Sequence, residues 1–538
     1  MTIKAPYYPI IYVRGYAATM KEIEDTVATP YMGFNLGSTK IRQDYDGEIV
    51  RFIFESPLIR LMKDEGYEDA YRNGDFIPEG EPVPAKSVWI FRYYEPVSED
   101  LGDGERRALP RFAVELRKFV LRVRDQVCGD DAVAKAGFKV YLVSHSMGGL
   151  VCRCYLQNIC RKGVADAFDG TPPADMNDAA LELGALPADA LVDKVFTYAT
   201  PHNGIEMVGR NVPDLGSLDP LHVRNFNRRY MREYLSLSSP PIGRAGGDRV
   251  DSLDGAFPTE RFFSFVGTNY RDYDAFFGLS RRGTGAMSDG LVMMDNAAVA
   301  GSPRAFAHRS HSGHFGIVNS EEGYQNLRRF LFGDVRVDVT LLIDEITLPK
   351  AVEEEIEGDP SRVRAAYNVE AAATLRGLNV FLNERRVAQE SAIRRTSDEL
   401  VAQGKPVYLF SGYLLKRAKT PRSRDTALAF AVDLGVQVPV YEVDRRFWLD
   451  EHFEGGYVFK DTVRFHVRPT TQRTTLRYGL TSESGAGEAG RMIDPTTTSD
   501  GRLRFELPLG FKPGTVNKPK PGLRGRLQVT VAPWNEAD

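Results

Sequence analysis

The chain has 538 residues, which at roughly 150 residues per domain predicts two to four folded units. It is 42% hydrophobic and 26% charged, the composition of a folded protein and not of a disordered or fibrous one. Lys plus Arg number 69 against 73 Asp plus Glu, a net charge of −4, so no electrostatic footprint for nucleic acid is present, and no run of about 18 apolar residues predicts a membrane span.

From the N-terminus, Pro9 to Val13 reads as a buried strand stopped by Arg14-Gly15. Ahead of it there is no room for a charged region, an apolar stretch and a cleavage site. No cleavable signal peptide is therefore expected. A second strand begins at Val88. Between Leu109 and Val127, apolar Phe112, Leu116, Phe119, Val120, Val123 and Val127 recur at helical spacing. Arg111, Arg117, Lys118, Arg122 and Arg124 fill the gaps, so an amphipathic helix with a solvated basic face is predicted. Then come a strand over Val140 to Val143, a helix from Gly148 to about Ile159, and strands over Lys194 to Ala199 and Arg261 to Val266. A long insertion, about 205–258, has its best helix at Leu221 to Leu235. A last helix runs from Glu321 to Phe332 and stops at Gly333. Strands alternating with helices predict an α/β unit with a mostly parallel sheet over residues 1–333.

Beyond Gly333 the period changes to two. Val335, Val337, Val339 and Leu341 alternate with polar residues, as do Val463, Phe465 and Val467, and Leu527, Val529 and Val531. Residues 334–538 are predicted to be an all-β, sandwich-like domain, with mobile loops near 484–501 and 511–525. Its strands carry no chemical motif. A role in binding another protein or a ligand stays open.

The informative segment is Val143-Ser144-His145-Ser146-Met147-Gly148-Gly149-Leu150. A strand runs into a serine between small residues, and a helix follows at once. This is the layout of a nucleophile elbow, with Ser144 where G-x-S-x-G has its first glycine. A serine at a helix start has a positive dipole end beside it, and the Met147 backbone N–H is placed to receive an oxyanion.

With these residues the chain resembles the α/β-hydrolase superfamily, and within it the lipases and lecithin:cholesterol-acyltransferase-like esterases. The likeness extends over about residues 7–333. It implies an α/β-hydrolase fold, a cap in the insertion, and a triad in the chain order Ser, Asp or Glu, then His, which removes His145 and His202. Ser288-Asp289-Gly290-Leu291-Val292 looks like the lipase loop that supplies the acid, so Asp289 is expected, with Asp295 in reserve. Of His308, His311 and His314, the last leads into the terminal helix as the catalytic histidine does in similar proteins. His314 is the expected base, and His311 its rival. Val13-Arg14-Gly15-Tyr16 resembles the strand end that donates the second oxyanion N–H, here that of Tyr16, with Arg14 in place of the usual histidine. Thr200-Pro201-His202-Asn203-Gly204 resembles a loop that frames the site.

The resemblance thus implies a serine carboxylic-ester hydrolase, lipase- or phospholipase-like, acting on lipid or other acyl esters. The same triad would serve an acyltransferase. A non-catalytic binding protein on this scaffold is the alternative of another class. Transient contact with a lipid surface is compatible with it. No obligatory cofactor or metal is expected, although some bacterial lipases carry a structural calcium, which would lie near Asp289. Cys128, Cys152, Cys154 and Cys160 lack zinc-site spacing and are expected as reduced thiols. A cytoplasmic location is expected, with signal-independent export open.

Overall fold

Short runs of β-branched and aromatic residues in the first half form strands covered on both faces. In β1 (Ile10–Val13), β3 (Ser87–Ile90) and β6 (Phe262–Gly267) every residue is buried, which parallel strands under helices require. Between them come β2 (Glu68–Asp69), β4 (Val140–His145) and β5 (Val192–Tyr198). In the computed structural model these six strands are parallel and follow the order β6-β5-β4-β1-β3-β2. The structure describes residues 3–535 apart from 18, 44–47, 106, 169–172, 174–175, 177, 208–209, 212–222, 239–247, 274–283, 314, 402–404, 419–426, 445–450, 470–473 and 484–489. The chain divides into two units. One comprises residues 1–304 and 309–332, the other residues 305–308 and 333–538.

The strand order reverses at β1 and β4, neighbours in the sheet although far apart in the chain. The loops leaving their C-terminal ends therefore lie side by side, where open α/β sheets place their ligands. Helix α1 (Leu109–Cys128) buries Phe112, Leu116, Phe119, Val120, Val123 and Val127 as its spacing predicts. Its arginine face is not wholly solvated. Arg117 is buried and donates to the carbonyls of Ile159 (3.1 Å) and Gly184 (2.6 Å). Helix α2 starts one residue early (Met147–Cys154), widens into a π turn over Tyr155–Ile159 and ends at Gly163, φ +82°.

The insertion departs further from expectation. In place of one helix over Leu221 to Leu235 there is a 3-10 turn (Val223–Phe226) and a short helix α3 (Arg228–Tyr234). Asn227 separates them because its side chain accepts from the N–H groups of Arg229 and Tyr230, an N-cap that starts a new helix. Residues 221 and 222 lie outside the described residues. Helix α4 (Glu321–Phe332) has the expected bounds. Among the described residues no helix is long and apolar enough to cross a membrane.

A buried lysine fastens α4 to the sheet. Lys194 on β5 donates to the Leu331 carbonyl at 2.9 Å, and burial lowers its pKa to about 7. Because the folded pKa lies below the unfolded one, the folded state binds fewer protons between those values, and stability from this group rises with pH. Lys194→Met is therefore expected to raise the melting temperature relative to wild type below pH 7, with the advantage shrinking from about pH 7 to about pH 10.5. Melts at pH 6 and pH 9.5 check it; an advantage that grows with pH would contradict it.

The second unit is antiparallel throughout its paired strands. One sheet runs 407–414, 335–347, 522–533, 503–510 and 496–497. The other runs 381–385, 363–375, 428–443, 451–468, 475–480 and 491–493, with 393–396 also paired to 363–375. Both send side chains into one core, among them Val337, Val339, Phe505, Val529, Val432 and Phe465. Parts of the segments expected as loops are strand: Arg491–Ile493 and Thr496–Thr497 pair with neighbours, and Gly522 already begins the last strand.

Candidate active site

Ser146 stands between β4 and α2 at φ 51°, ψ −125°, a backbone that a side-chain-bearing residue adopts at a cost of about 1–3 kcal/mol. The chain is tightly packed around the turn. A Cβ at Gly148 would run into the carbonyl oxygens of Val13 and Arg14, and one at Gly149 into Thr200. The Thr200 hydroxyl in turn donates to the Ser146 carbonyl at 2.9 Å. Ser144 is fully buried where the motif has its first glycine.

The Ser146 hydroxyl donates to Nε2 of His311 at 2.9 Å, and Nδ1–H of His311 donates to Oδ2 of Asp289 at 2.8 Å. All three residues are buried, with exposures of 4%, 3% and 1%. The other carboxylate oxygen of Asp289 accepts from the N–H groups of Leu291 (3.0 Å) and Val292 (2.8 Å). With Nδ1–H directed at Asp289, Nε2 of His311 is left to accept the serine proton. Gly267, at the end of β6, admits Asp289: a Cβ there would lie 2.8 Å from the aspartate's own.

The place between Ser146 and Asp289 that the sequence reading assigns to His314 is thus filled by His311. Spacing from the terminal helix cannot separate residues three apart. Main-chain pairing does: the His311 N–H donates to the Asp289 carbonyl at 3.0 Å, and the chain then turns tightly through Gly313, φ +85°. His314 lies outside the described residues. The reserve acid, Asp295, is exposed in a 3-10 turn, and its carbonyl accepts from Arg249 at 3.2 Å. His202 is fully buried, its Nε2 3.0 Å from the Thr197 hydroxyl, and burial holds its pKa well below the usual range.

The loop after β1 carries Tyr16 beside the elbow. Tyr93 donates to the Arg14 carbonyl (2.7 Å), Tyr94 donates to that of Gly15 (3.0 Å), and the Ala17 N–H donates to Tyr94 (2.9 Å). These bonds anchor residues 14–17, and the Arg14 side chain donates to the Met32 carbonyl. The insertion reaches the same place. Phe226 meets the Tyr16 ring edge-on at 5.6 Å, and the Asn225 amide lies 3.9 Å from the Met147 sulfur. Tyr273 stands edge-on to His311 at 5.4 Å. Tyr93, Tyr94, Asn225, Phe226 and Tyr273 were not singled out from the sequence; each acts across a long separation, and no local pattern marks it.

No protein-family model matches the chain, and no curated protein matches it. The solved structures similar to it at low level include the following two. A proposed cell surface hydrolase from Lactobacillus plantarum WCFS1 has 12% identity and a TM-score of 0.23, over 61% of this chain and 92% of that one. Phospholipase PlaB from Legionella pneumophila, solved in complex with thio-NAD, has 12% identity and a TM-score of 0.28, over 83% of this chain and 89% of that one.

Chemically, a buried carboxylate, imidazole and hydroxyl joined in this order can deprotonate the hydroxyl as it attacks and return the proton to a leaving group. Among the described residues no three His, Cys, Asp or Glu side chains converge as metal ligands do.

Proposed function

We propose that the chain is an α/β-hydrolase of the lipase and esterase kind, cleaving carboxylic esters through an acyl-enzyme. One observation carries this reading: the continuous relay from Asp289 through His311 to Ser146, at 2.8 and 2.9 Å, on a serine raised by a strained strand-to-helix turn.

In this mechanism Ser146 Oγ attacks the ester carbonyl carbon while His311 Nε2 takes its proton. The carbonyl π electrons move to the oxygen, and the oxyanion lies against the backbone N–H groups of Met147 and Tyr16. When the tetrahedral intermediate collapses, the C–O bond to the alcohol breaks and the alkoxide receives the proton from His311. Asp289 holds the imidazole in the required tautomer and stabilises the imidazolium. Water, activated by the same histidine, then releases the acid. Phe226 and Asn225 lie against the Tyr16 ring and the Met147 side chain, so the insertion borders the two residues whose N–H groups would hold the oxyanion.

The test is hydrolysis of p-nitrophenyl esters of rising chain length, followed by product analysis with a competing alcohol. Turnover with a chain-length optimum is expected, with free acid as the main product. An alkyl ester as the main product would make the chain an acyltransferase. Inertness toward every acyl ester and toward a fluorophosphonate would refute the reading.

A further inference from the structure

The residue before the nucleophile has no part in the relay, yet it touches the residue that does. His145 ends β4, and its Nε2 lies 2.9 Å from the main-chain carbonyl oxygen of His311. A carbonyl can only accept. The proton therefore sits on Nε2 of His145, and its Nδ1 is bare. With the His311 N–H on the Asp289 carbonyl at 3.0 Å, the peptide groups on both sides of the base are held, one by the acid's own main chain and one by His145.

We infer that His145 is a positioning residue, which keeps the His311 imidazole on Ser146 by donating Nε2–H to the His311 carbonyl. The inference rests on the serine-hydrolase reading of the site.

Packing gives His145 its place. A Cβ at Gly15 would lie 2.8 Å from His145 Nδ1 and 2.9 Å from the Ser146 Cβ. The His145 ring is thus wedged between the loop that carries Tyr16 and the loop that carries His311. The ring centroids of His145 and His311 are 5.1 Å apart. That separation is tolerable only if His145 stays neutral while His311 becomes an imidazolium during turnover, since two like charges would repel in a site with little water. Burial first, then His311 and Arg14, lower the His145 pKa to about 3, so its ring stays neutral around neutral pH. A neutral donor steadies the base without competing for its proton. The geometry needed is narrow, because displacing a reacting group by about 1 Å can cost on the order of a hundredfold in rate.

Two substitutions separate the donor from the space it fills. His145→Phe keeps a ring and removes the donor; His145→Gln places an amide N–H at similar reach. Each full-length variant would be compared with wild type for melting temperature, kcat, KM and the rate of fluorophosphonate labelling at Ser146. For His145→Phe, kcat and labelling rate are expected to fall together by about 10- to 100-fold with KM within twofold. His145→Gln should recover to within about threefold of wild type. If His145→Phe does not fold, His145→Asn, whose amide is one methylene too short, replaces it and is read the same way. A folded His145→Phe with wild-type kcat would overturn the inference. So would a folded His145→Gln that is as slow as His145→Phe. Absence of labelling in wild type would refute the serine-hydrolase reading itself.

Discussion

Ser146→Ala is expected to lose all covalent labelling by a fluorophosphonate and at least about 10⁴-fold in kcat, roughly 5.5 kcal/mol of transition-state stabilisation. Ser146 carries the hydroxyl that meets His311 Nε2, at 2.9 Å. Ser144, two residues earlier, is fully buried inside β4 and faces no base. Ser144→Ala is accordingly the control and should label like wild type. The residual rate of Ser146→Ala would come from water attacking an ester held against the oxyanion donors. Equal labelling of Ser146→Ala and wild type, read by mass spectrometry of the modified peptide, would remove Ser146 from the mechanism.

The second large effect separates two histidines. His311→Ala should cost about 10⁴-fold or more in kcat, because the serine proton then has no acceptor and the leaving alkoxide no donor. His314→Ala should stay within about tenfold, or 1.4 kcal/mol. Asp289→Asn should also fall by orders of magnitude. Its amide would present an N–H or a carbonyl to Nδ1, and the imidazole would lose both its tautomer control and the countercharge to its imidazolium. Combining His311→Ala with Asp289→Asn should cost little beyond His311→Ala alone, since the three residues act as a unit. Asp295→Asn, on an exposed turn, should be near wild type. If His314→Ala abolished turnover while His311→Ala kept it within tenfold, the base would be His314.

How far this architecture can be read from residues alone differs from element to element. In the first unit β1, β3 and β6 are short, mostly apolar runs, so their positions follow from local composition, whereas β2 (Glu68–Asp69) carries no such signal. Helix α1 follows in the same way, from six apolar residues at helical spacing. Other elements carry equally local signals. Thr19 and Glu22 form a capping box at the start of the helix Met20–Val27. Ser56, Pro57 and Gly66 bracket the helix Pro57–Glu65 as N-cap, first turn and left-handed C-cap. The strands 407–414 and 428–443 lie between the alternating segments expected from the sequence.

The sequence by itself determined the nucleophile candidate, the change from α/β to all-β texture near Gly333, and the segments that could hold an acid and a base. These depend on residues adjacent in the chain: a strand, a tight turn and a helix start within ten positions, or a period that switches from mixed to two. Only the tertiary structure decided which histidine meets the serine, because His311 and His314 have the same local chemistry and differ by three residues. His311 is held by a main-chain hydrogen bond to Asp289, 22 positions away, and by a side chain from β4, 166 positions away. The anchoring of residues 14–17 by Tyr93 and Tyr94, and the approach of Phe226 from the insertion, likewise join residues far apart in the chain. Hydrophobic periodicity specifies which face of an element is buried. It carries no record of which distant loop will lie across the end of the sheet.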